Sequence, residues 1–266
     1  MNVIVCIKQV PDPEVPPVKF KIDPDAKKVV PPVGVAPVIS MFDERAVEAA
    51  CRLKDKYKAK IIAITLGQGK ASDVVKHAFA MGADEGYQLA DPSFENLDSF
   101  GTAYILSQAI RKIGAYDLVL CGRQAADWDS GQVGSILAEY LGIPAVTLAS
   151  DIQVANGKAT IKRVQEDGYE VVEATLPSLV TVSSELGIAR LPSGINLVMS
   201  ARKKIPVWTA ADIQTDPAQY TPAAAHTQVS SLTIPVREAN CQMIAGETPG
   251  VAGANLALKL RELNVI

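Results

Sequence analysis

Leu118-Val119-Leu120-Cys121-Gly122-Arg123-Gln124-Ala125-Ala126-Asp127-Trp128-Asp129-Ser130-Gly131-Gln132-Val133-Gly134 changes character twice in one stretch. Leu118 to Cys121 is a continuous apolar run, the composition of a strand buried on both faces. Gly122 to Gly131 is polar and punctuated by glycine. A helix is expected from about Gln132 to Leu141, where Gly142-Ile143-Pro144 stops it. Buried strand, polar loop and helix in succession are the unit from which parallel sheets are built, with helices covering both faces.

The same alternation recurs on either side. Val3 to Ile7 reads as a strand, followed by a proline-rich loop from Val10 to Pro17. Lys19 to Ile22 and Val29-Val30 flank the Asp23-Pro24-Asp25 turn as a small added β-hairpin. From Asp43, Ala46, Ala50, Leu53 and Tyr57 keep helical spacing, with Asp43-Glu44 favourable at the positive helix end. Ile61 to Leu66 is the next strand and closes at Gly67-Gln68-Gly69. Ser72 is expected to cap a helix through Val75, Ala78 and Phe79 that Gly82 stops. Gly86 to Ala90 and Ser99 to Ile113 supply a further strand and helix, and Ala145 to Leu148 another strand.

Beyond this the pattern changes. Asn156-Gly157 within Val154 to Val164, and Glu166-Asp167-Gly168 before Tyr169 to Ala174, read as hairpin turns. Ser178 to Val182 is apolar enough to return to the core. Glu185 to Ser200 shows no clear period and reads as a surface loop. Pro206 to Thr227 is rich in Ala, Pro and Thr and reads as an extended arm. Ala252 to Leu263, with Leu256, Leu258, Leu260 and Leu263, reads as a terminal helix. The expected division is an α/β domain over 1–205 and an arm with terminal helix over 206–266.

Composition narrows the function classes. Lys+Arg 26 against Asp+Glu 29 leave a formal charge of −3, which argues against a dedicated nucleic-acid binder. With 48% apolar and 21% charged residues, bulk disorder is excluded. No apolar run approaches the roughly 20 residues of a membrane span. Met1 to Lys8 has no basic segment before its apolar stretch, so no signal peptide and a cytoplasmic location are expected. Cys6, Cys51, Cys121 and Cys241 are scattered, and His77 and His226 are the only histidines. No metal site or disulfide framework is expected from that spacing.

The Gly122–Gly134 loop is the leading candidate site, because ligands of parallel sheets lie beyond the carboxyl ends of the strands. Ser130, Gly131 and the backbone N–H groups at the following helix start can cradle a phosphate, and Arg123 can add charge. An ordinary strand-to-helix connection has the same spacing. The loop is neither a Walker loop nor a Gly-x-Gly-x-x-Gly fingerprint. Asp127 and Asp129 read as loop-capping residues rather than paired catalytic carboxylates, since no third ligand accompanies them. Trp128 either stacks on a ring or packs alone. His77 reads as structural and His226 as solvated. The residues alone lead to an α/β nucleotide-binding protein without visible catalytic machinery. A stand-alone ATP- or AMP-binding protein and an adenylating enzyme remain alternatives, although neither Ser-Gly-Gly-x-Asp-Ser nor His-x-Gly-His is present.

Several stretches, in order, resemble one family. They are Val5-Cys6-Ile7-Lys8-Gln9-Val10-Pro11-Asp12, Phe42-Asp43-Glu44-Arg45-Ala46-Val47-Glu48-Ala49-Ala50, Ala80-Met81-Gly82-Ala83-Asp84 and the loop from Gly122 to Gly134. The most specific runs from Ile161-Lys162-Arg163 through Glu166-Asp167-Gly168-Tyr169-Glu170 to Leu176-Pro177-Ser178-Leu179-Val180-Thr181-Val182. Over nearly its whole length the chain is similar to the β subunit of electron transfer flavoprotein. That resemblance implies a three-layer sandwich of the adenine-nucleotide α-hydrolase kind. It also implies a heterodimer with an α subunit that holds most of a redox-active FAD and against which the C-terminal arm packs.

The β subunit itself would bind AMP, or a second FAD as in electron-bifurcating relatives. The implied nucleotide contacts are Cys6, Ser40, Met41, Phe42, Asp43, Leu66, Gly122, Arg123, Gln124, Ala125, Ala126, Asp127, Trp128, Asp129, Ser130, Gly131, Gln132 and Val133. Phe42 would also approach the flavin. Electrons would pass from dehydrogenases to a quinone oxidoreductase or other acceptor. A loop between Glu185 and Met199 would dock these partners through Leu191 or Ile195. This loop reads Gly187-Ile188-Ala189-Arg190-Leu191-Pro192-Ser193-Gly194 where the family often has Asn-Glu-Pro-Arg-Tyr.

Overall fold

Thirteen strands and six α-helices follow one another in the computed structural model, which describes residues 1–235 and 241–266. The remaining five, 236–240, belong to the expected arm and lie outside the described residues. The strands are β1 (Asn2–Ile7), β2 (Gln9–Val10), β3 (Lys21–Asp23), β4 (Lys28–Val30), β5 (Val38–Ile39), β6 (Lys60–Leu66), β7 (Glu85–Leu89), β8 (Leu118–Gly122), β9 (Ala145–Ala155), β10 (Lys158–Gln165), β11 (Gly168–Thr175), β12 (Ser178–Val182) and β13 (Val207–Trp208). The helices are α1 (Met41–Tyr57), α2 (Ser72–Met81), α3 (Ser99–Ile113), α4 (Val133–Leu141), α5 (Gly194–Arg202) and α6 (Pro249–Glu262).

Nine strands form one sheet in the order β11-β10-β9-β12-β8-β1-β6-β7-β13. From β9 to β13 every pairing is parallel, while β9-β10-β11 is an antiparallel meander. Alternation along the strands divides the core in two. Val3, Val5, Leu118, Leu120, Val180 and Val182 pack beneath α1 and α2. Ile4, Cys6, Val119, Cys121 and Leu179 pack beneath α3 and α4. Both faces are therefore covered, as the continuous apolar strands require. The chain runs from β1 to β6 and β7 on one side and only later reaches β8 and β12 on the other. Beyond the carboxyl ends of β1 and β8 this reversal opens the crevice in which such sheets hold ligands.

Asn156 and Gly157 take φ of 52° and 72°, the two left-handed residues that a tight hairpin turn needs, and they join β9 to β10 as expected. Elsewhere the structure departs from the expectations. Ser72 lies inside α2 instead of capping it; Ala71 holds the cap position after a short 3-10 turn over Gly69–Ala71. The strand expected to end at Leu148 continues to Ala155 through an irregularity at Leu148, φ 61°. The loop expected over 185–200 contains α5. Its cap is Ser193, whose Oγ accepts from Asn196 N at 3.2 Å, and its only buried residue is Ser200.

Residues 206–227 are not simply an arm. Val207–Trp208 adds the last parallel strand to the sheet, Trp208 stacks on Tyr87 with ring centroids 4.1 Å apart, and Ile213 and Tyr220 are buried in the second core. The chain divides into one compact unit over Met1–Ser231 and another over Leu232–Ile266, so position 205 falls inside the first unit. The second unit carries α6, capped by Thr248, with Leu256, Leu258 and Leu263 exposed. No helix among the described residues is long and apolar enough to cross a membrane.

Candidate functional site

Ser40 precedes α1 and occupies its cap position, yet its hydroxyl makes no capping bond to the helix. The Oγ instead accepts from Ala126 N at 3.3 Å, tying the Gly122–Gly131 loop to the start of α1. The N–H groups of the first turn of α1 therefore lack the satisfaction that a capping side chain provides, at the end where the helix dipole favours an anion.

Three residues further on, Asp43 is buried and joins two loops. Its Oδ2 accepts from Lys8 N at 2.9 Å and its Oδ1 from Gly122 N at 3.0 Å. Burial pushes its pKa up to about 7, against the lowering effect of these two N–H groups and of the Lys8 charge. Asp127 adds to the rise. Gly122 must be glycine for this junction to close: a Cβ there would stand 2.5 Å from Asp43 Oδ1 and 2.7 Å from the Phe42 backbone. Gly134 is under a related constraint, since a Cβ would meet Thr181 Cγ2 at 2.6 Å where α4 crosses β12.

The loop is braced from outside as well. Lys8 Nζ reaches both carboxylate oxygens of Asp127, at 2.7 and 2.9 Å. Asp129 takes φ 51°; its N–H returns to Ala125 O at 3.0 Å and its Oδ1 accepts from Gln124 Nε2 at 2.8 Å. The two aspartates thus brace the loop separately. Arg123 lies over the Phe42 ring, 5.1 Å from its centroid, and its N–H donates to Val182 O at 2.8 Å. Cys6 and Cys121 lie on adjacent strands, and the hydrogen bond between them, with burial, holds the Cys6 thiol well above its ordinary pKa. The Cys6 thiol is therefore not set up as a thiolate nucleophile.

Among the expected site residues, the structure thus joins Ser40, Phe42, Asp43, Gly122, Arg123, Gln124, Ala125, Ala126, Asp127 and Asp129 through these contacts, with Cys6 at the end of β1. Leu66 ends β6, on the other side of β1, and packs against the second core. Met41, Trp128, Ser130, Gly131 and Gln132 are exposed at the rim, and Val133 opens α4. Lys8 is not among the expected site residues; its position directly after the first buried strand is the signal that points to it. His77 meets Glu44 of α1 at 2.8 Å across the helix pair. The His226 ring rests on Phe100 with centroids 4.1 Å apart. Among the described residues no group of three His, Cys, Asp or Glu could hold a metal ion.

Ser40, the uncapped start of α1 and the Gly122–Gly131 loop thus meet beyond the carboxyl ends of β1 and β8. A separate open groove of about 360 Å³ lies at the amino end of β6, lined by Lys54, Lys58, Ala59, Lys60 and Asp84. Two of its lysines are already paired, Lys54 with Asp84 and Lys60 with Glu85.

Comparison with known proteins places the chain in a family. The electron transfer flavoprotein domain family matches residues 29–213. The chain is 37% identical to the caffeyl-CoA reductase-Etf complex subunit CarD of Acetobacterium woodii, over the full length of both. It is 39% identical to the electron transfer flavoprotein subunit beta of Megasphaera elsdenii over 88% of each chain. The subunit beta of Thermoanaerobacterium thermosaccharolyticum matches at 37% over the full length of both. Matched by the family over more than half its length and by named β subunits over 88% or more of it, the chain belongs to the electron transfer flavoprotein β-subunit family.

Proposed function

We propose that this chain is one half of a heterodimer that carries electrons from flavin dehydrogenases to a quinone oxidoreductase or another acceptor. The FAD is held mainly by the α subunit, and the chain itself binds AMP or a second FAD. The observation that carries this reading is Asp43, a buried carboxylate joining Lys8 and Gly122 at the carboxyl ends of β1 and β8. With Ser40 it gathers three loops around the start of α1 and spends no group on acid–base chemistry.

The chain's own residues then have positional tasks. Backbone N–H groups at the starts of α1 and α4, with Ser130 and Arg123, would grip phosphate. Asp127, Gln132 and the remaining loop residues would border the nucleoside. Phe42, its ring backed by Arg123, would stand next to the flavin. A bound flavin supplies the hydride and single-electron chemistry, and the protein supplies position, electrostatics and exclusion of water. Partners would dock on the segment following β12, where Leu191 is 91% and Ile195 74% exposed. Such exposure is what a small, short-lived redox contact requires. The unit over Leu232–Ile266, with its exposed leucines, would pack on the α subunit.

The experiment is co-purification with the α subunit, acid extraction, and a count of FAD and AMP per heterodimer. One FAD with one AMP, or two FAD, is the expected result. A complex that stays colourless after FAD addition overturns the reading. A homodimer that binds ATP without the α subunit would favour a stand-alone nucleotide-binding protein instead.

A further inference from the structure

Glu48 is a carboxylate in the middle of α1, buried on the face that carries Val47, Cys51 and the first core. Removing a charge from water is costly unless hydrogen bonds replace the lost hydration. Here they come from one neighbouring turn and one distant segment. Arg52 Nε donates to Oε1 at 3.0 Å. Arg190 donates three times: from its backbone N to Oε2 at 3.1 Å, from Nε to Oε2 at 2.7 Å and from Nη2 to Oε1 at 3.4 Å. Arg190 Nη2 also reaches Asp55 Oδ2 at 2.8 Å, about two turns further along α1. Burial raises the Glu48 pKa, but the bonds from Arg190 and Arg52 more than offset it and hold the group below the usual carboxylate range.

The other end of the same short segment is fastened as well. Arg52 Nη1 donates to Leu186 O at 3.1 Å. Leu186 to Arg190 is thus pinned to α1 at both ends, and between the pins Gly187 takes φ 102° while Ile188 stands 89% exposed. Leu191 follows directly, then the Ser193 cap of α5. Large apolar side chains on an untethered loop would turn toward the surface. A loop held at two points keeps them in water, ready for contact.

We propose that Glu48 is the positioning residue of the docking segment: by holding Arg190 against α1, with Asp55, it fixes Ile188 and Leu191 in the posture a redox partner meets. This rests on the reading of 185–199 as the docking surface. A segment ordered in advance does not lose its conformational freedom at each encounter. Since α1 begins at the nucleotide crevice, one rigid helix carries both. Ser40 and Glu48 are separated by about 12 Å of helix rise.

The test uses the α/β complex and a flavin-dependent dehydrogenase that reduces the wild-type complex. Glu48→Gln and Arg190→Ala are each expected to raise KM for the complex about tenfold, with kcat within about twofold and nucleotide content unchanged. The double variant is expected to be no worse than the worse single variant, because both break one tether. Amide hydrogen exchange over 186–192 should accelerate in all three. Should Glu48→Gln fail to fold, Arg190→Ala, on the partly exposed side of the tether, carries the test alone. Wild-type KM in the Glu48 and Arg190 variants, KM effects that multiply in the double variant, or loss of nucleotide along with the KM rise would each overturn the proposal. The docking reading has its own control: Leu191→Ala and Ile195→Ala must weaken transfer. If these change nothing, the reading fails; if they weaken transfer while Glu48 and Arg190 variants do not, only the tether fails.

Discussion

Ser40 and Asp43 are polar and buried; Ile188 and Leu191, tethered near the same helix, are apolar and exposed. Folding alone favours the opposite arrangement in both places. At the crevice, each buried polar atom serves a particular loop: Ser40 holds Ala126, while Asp43 holds Lys8 and Gly122. On the segment proposed to dock partners, Glu48, Arg52, Asp55 and Arg190 form a polar network against α1 while Ile188 and Leu191 stand exposed. The contrast separates two tasks. A site for a bound nucleotide needs inward-facing hydrogen bonds, and a site for a passing protein needs outward-facing hydrocarbon. Substitutions at the crevice should therefore act on stability and ligand content, and substitutions on the docking segment on transfer alone.

The largest effect is expected at Gly122→Ala. The new methyl would stand 2.7 Å from the Phe42 backbone, which cannot move without displacing the start of α1. A loss of about 3 kcal/mol in urea unfolding is expected, at the upper end of overpacking costs, together with loss of bound nucleotide. Unchanged stability would mean that the crevice is looser than the Asp43 junction implies.

Asp43 comes next and can be read through pH. Its folded pKa is about 7, above its usual value of 3.8, so the folded state binds the proton more tightly. The contribution of Asp43 to stability is then highest below about pH 4, falls as pH rises toward 7, and levels off above it. Between pH 5 and pH 8 the wild-type chain should lose about 2–3 kcal/mol from this group. Asp43→Asn should lack that loss, at the cost of one of the two N–H partners. Equal slopes for the two proteins over that range would show that Asp43 titrates as an ordinary carboxylate.

Lys8→Met removes the clamp on Asp127. The ammonium is partly exposed, so no more than about 1 kcal/mol of stability is expected to go. The loop should nevertheless hold nucleotide less well, measured as AMP or FAD retained after gel filtration. The smallest stability change is expected for Leu191→Ala and Ile195→Ala, within about 0.5 kcal/mol of wild type. If either variant unfolds more easily by more than that, the side chain is part of the fold and the contrast between the two regions breaks down.

Strands were readable because burial on both faces demands unbroken apolar runs, which Leu118 to Cys121 and Ser178 to Val182 display. The Asn156-Gly157 turn was equally plain, since two consecutive left-handed residues admit few sequences. By contrast, α5 was read as loop. It buries only Ser200 and is held by the Ser193 cap, by Asn196 Nδ2 donating to Ala80 O at 3.3 Å and by packing on α2, so no apolar stripe marks it. The strand at Val207–Trp208 is two residues long, too short for any period; stacking on Tyr87 and pairing with β7 place it. In the crevice, the polar loop after β8 announced itself by its position, but its clamp did not. Lys8 and Asp127 are 119 residues apart, and the Arg190–Glu48 tether spans 142.

By itself the sequence determined the parallel sheet, its two layers of helices and the end of the sheet at which the polar loop opens, because these follow from local periodicity and from which residues water rejects. Through its ordered motifs it also determined the family. Tertiary packing alone settles which buried carboxylate gathers the loops, which lysine braces them and which glutamate fastens the Leu186–Arg190 segment to α1. Those choices depend on groups meeting across separations of 35 to 142 residues. Attraction between such charges leaves no repeat in the chain, since it is decided by distance in space.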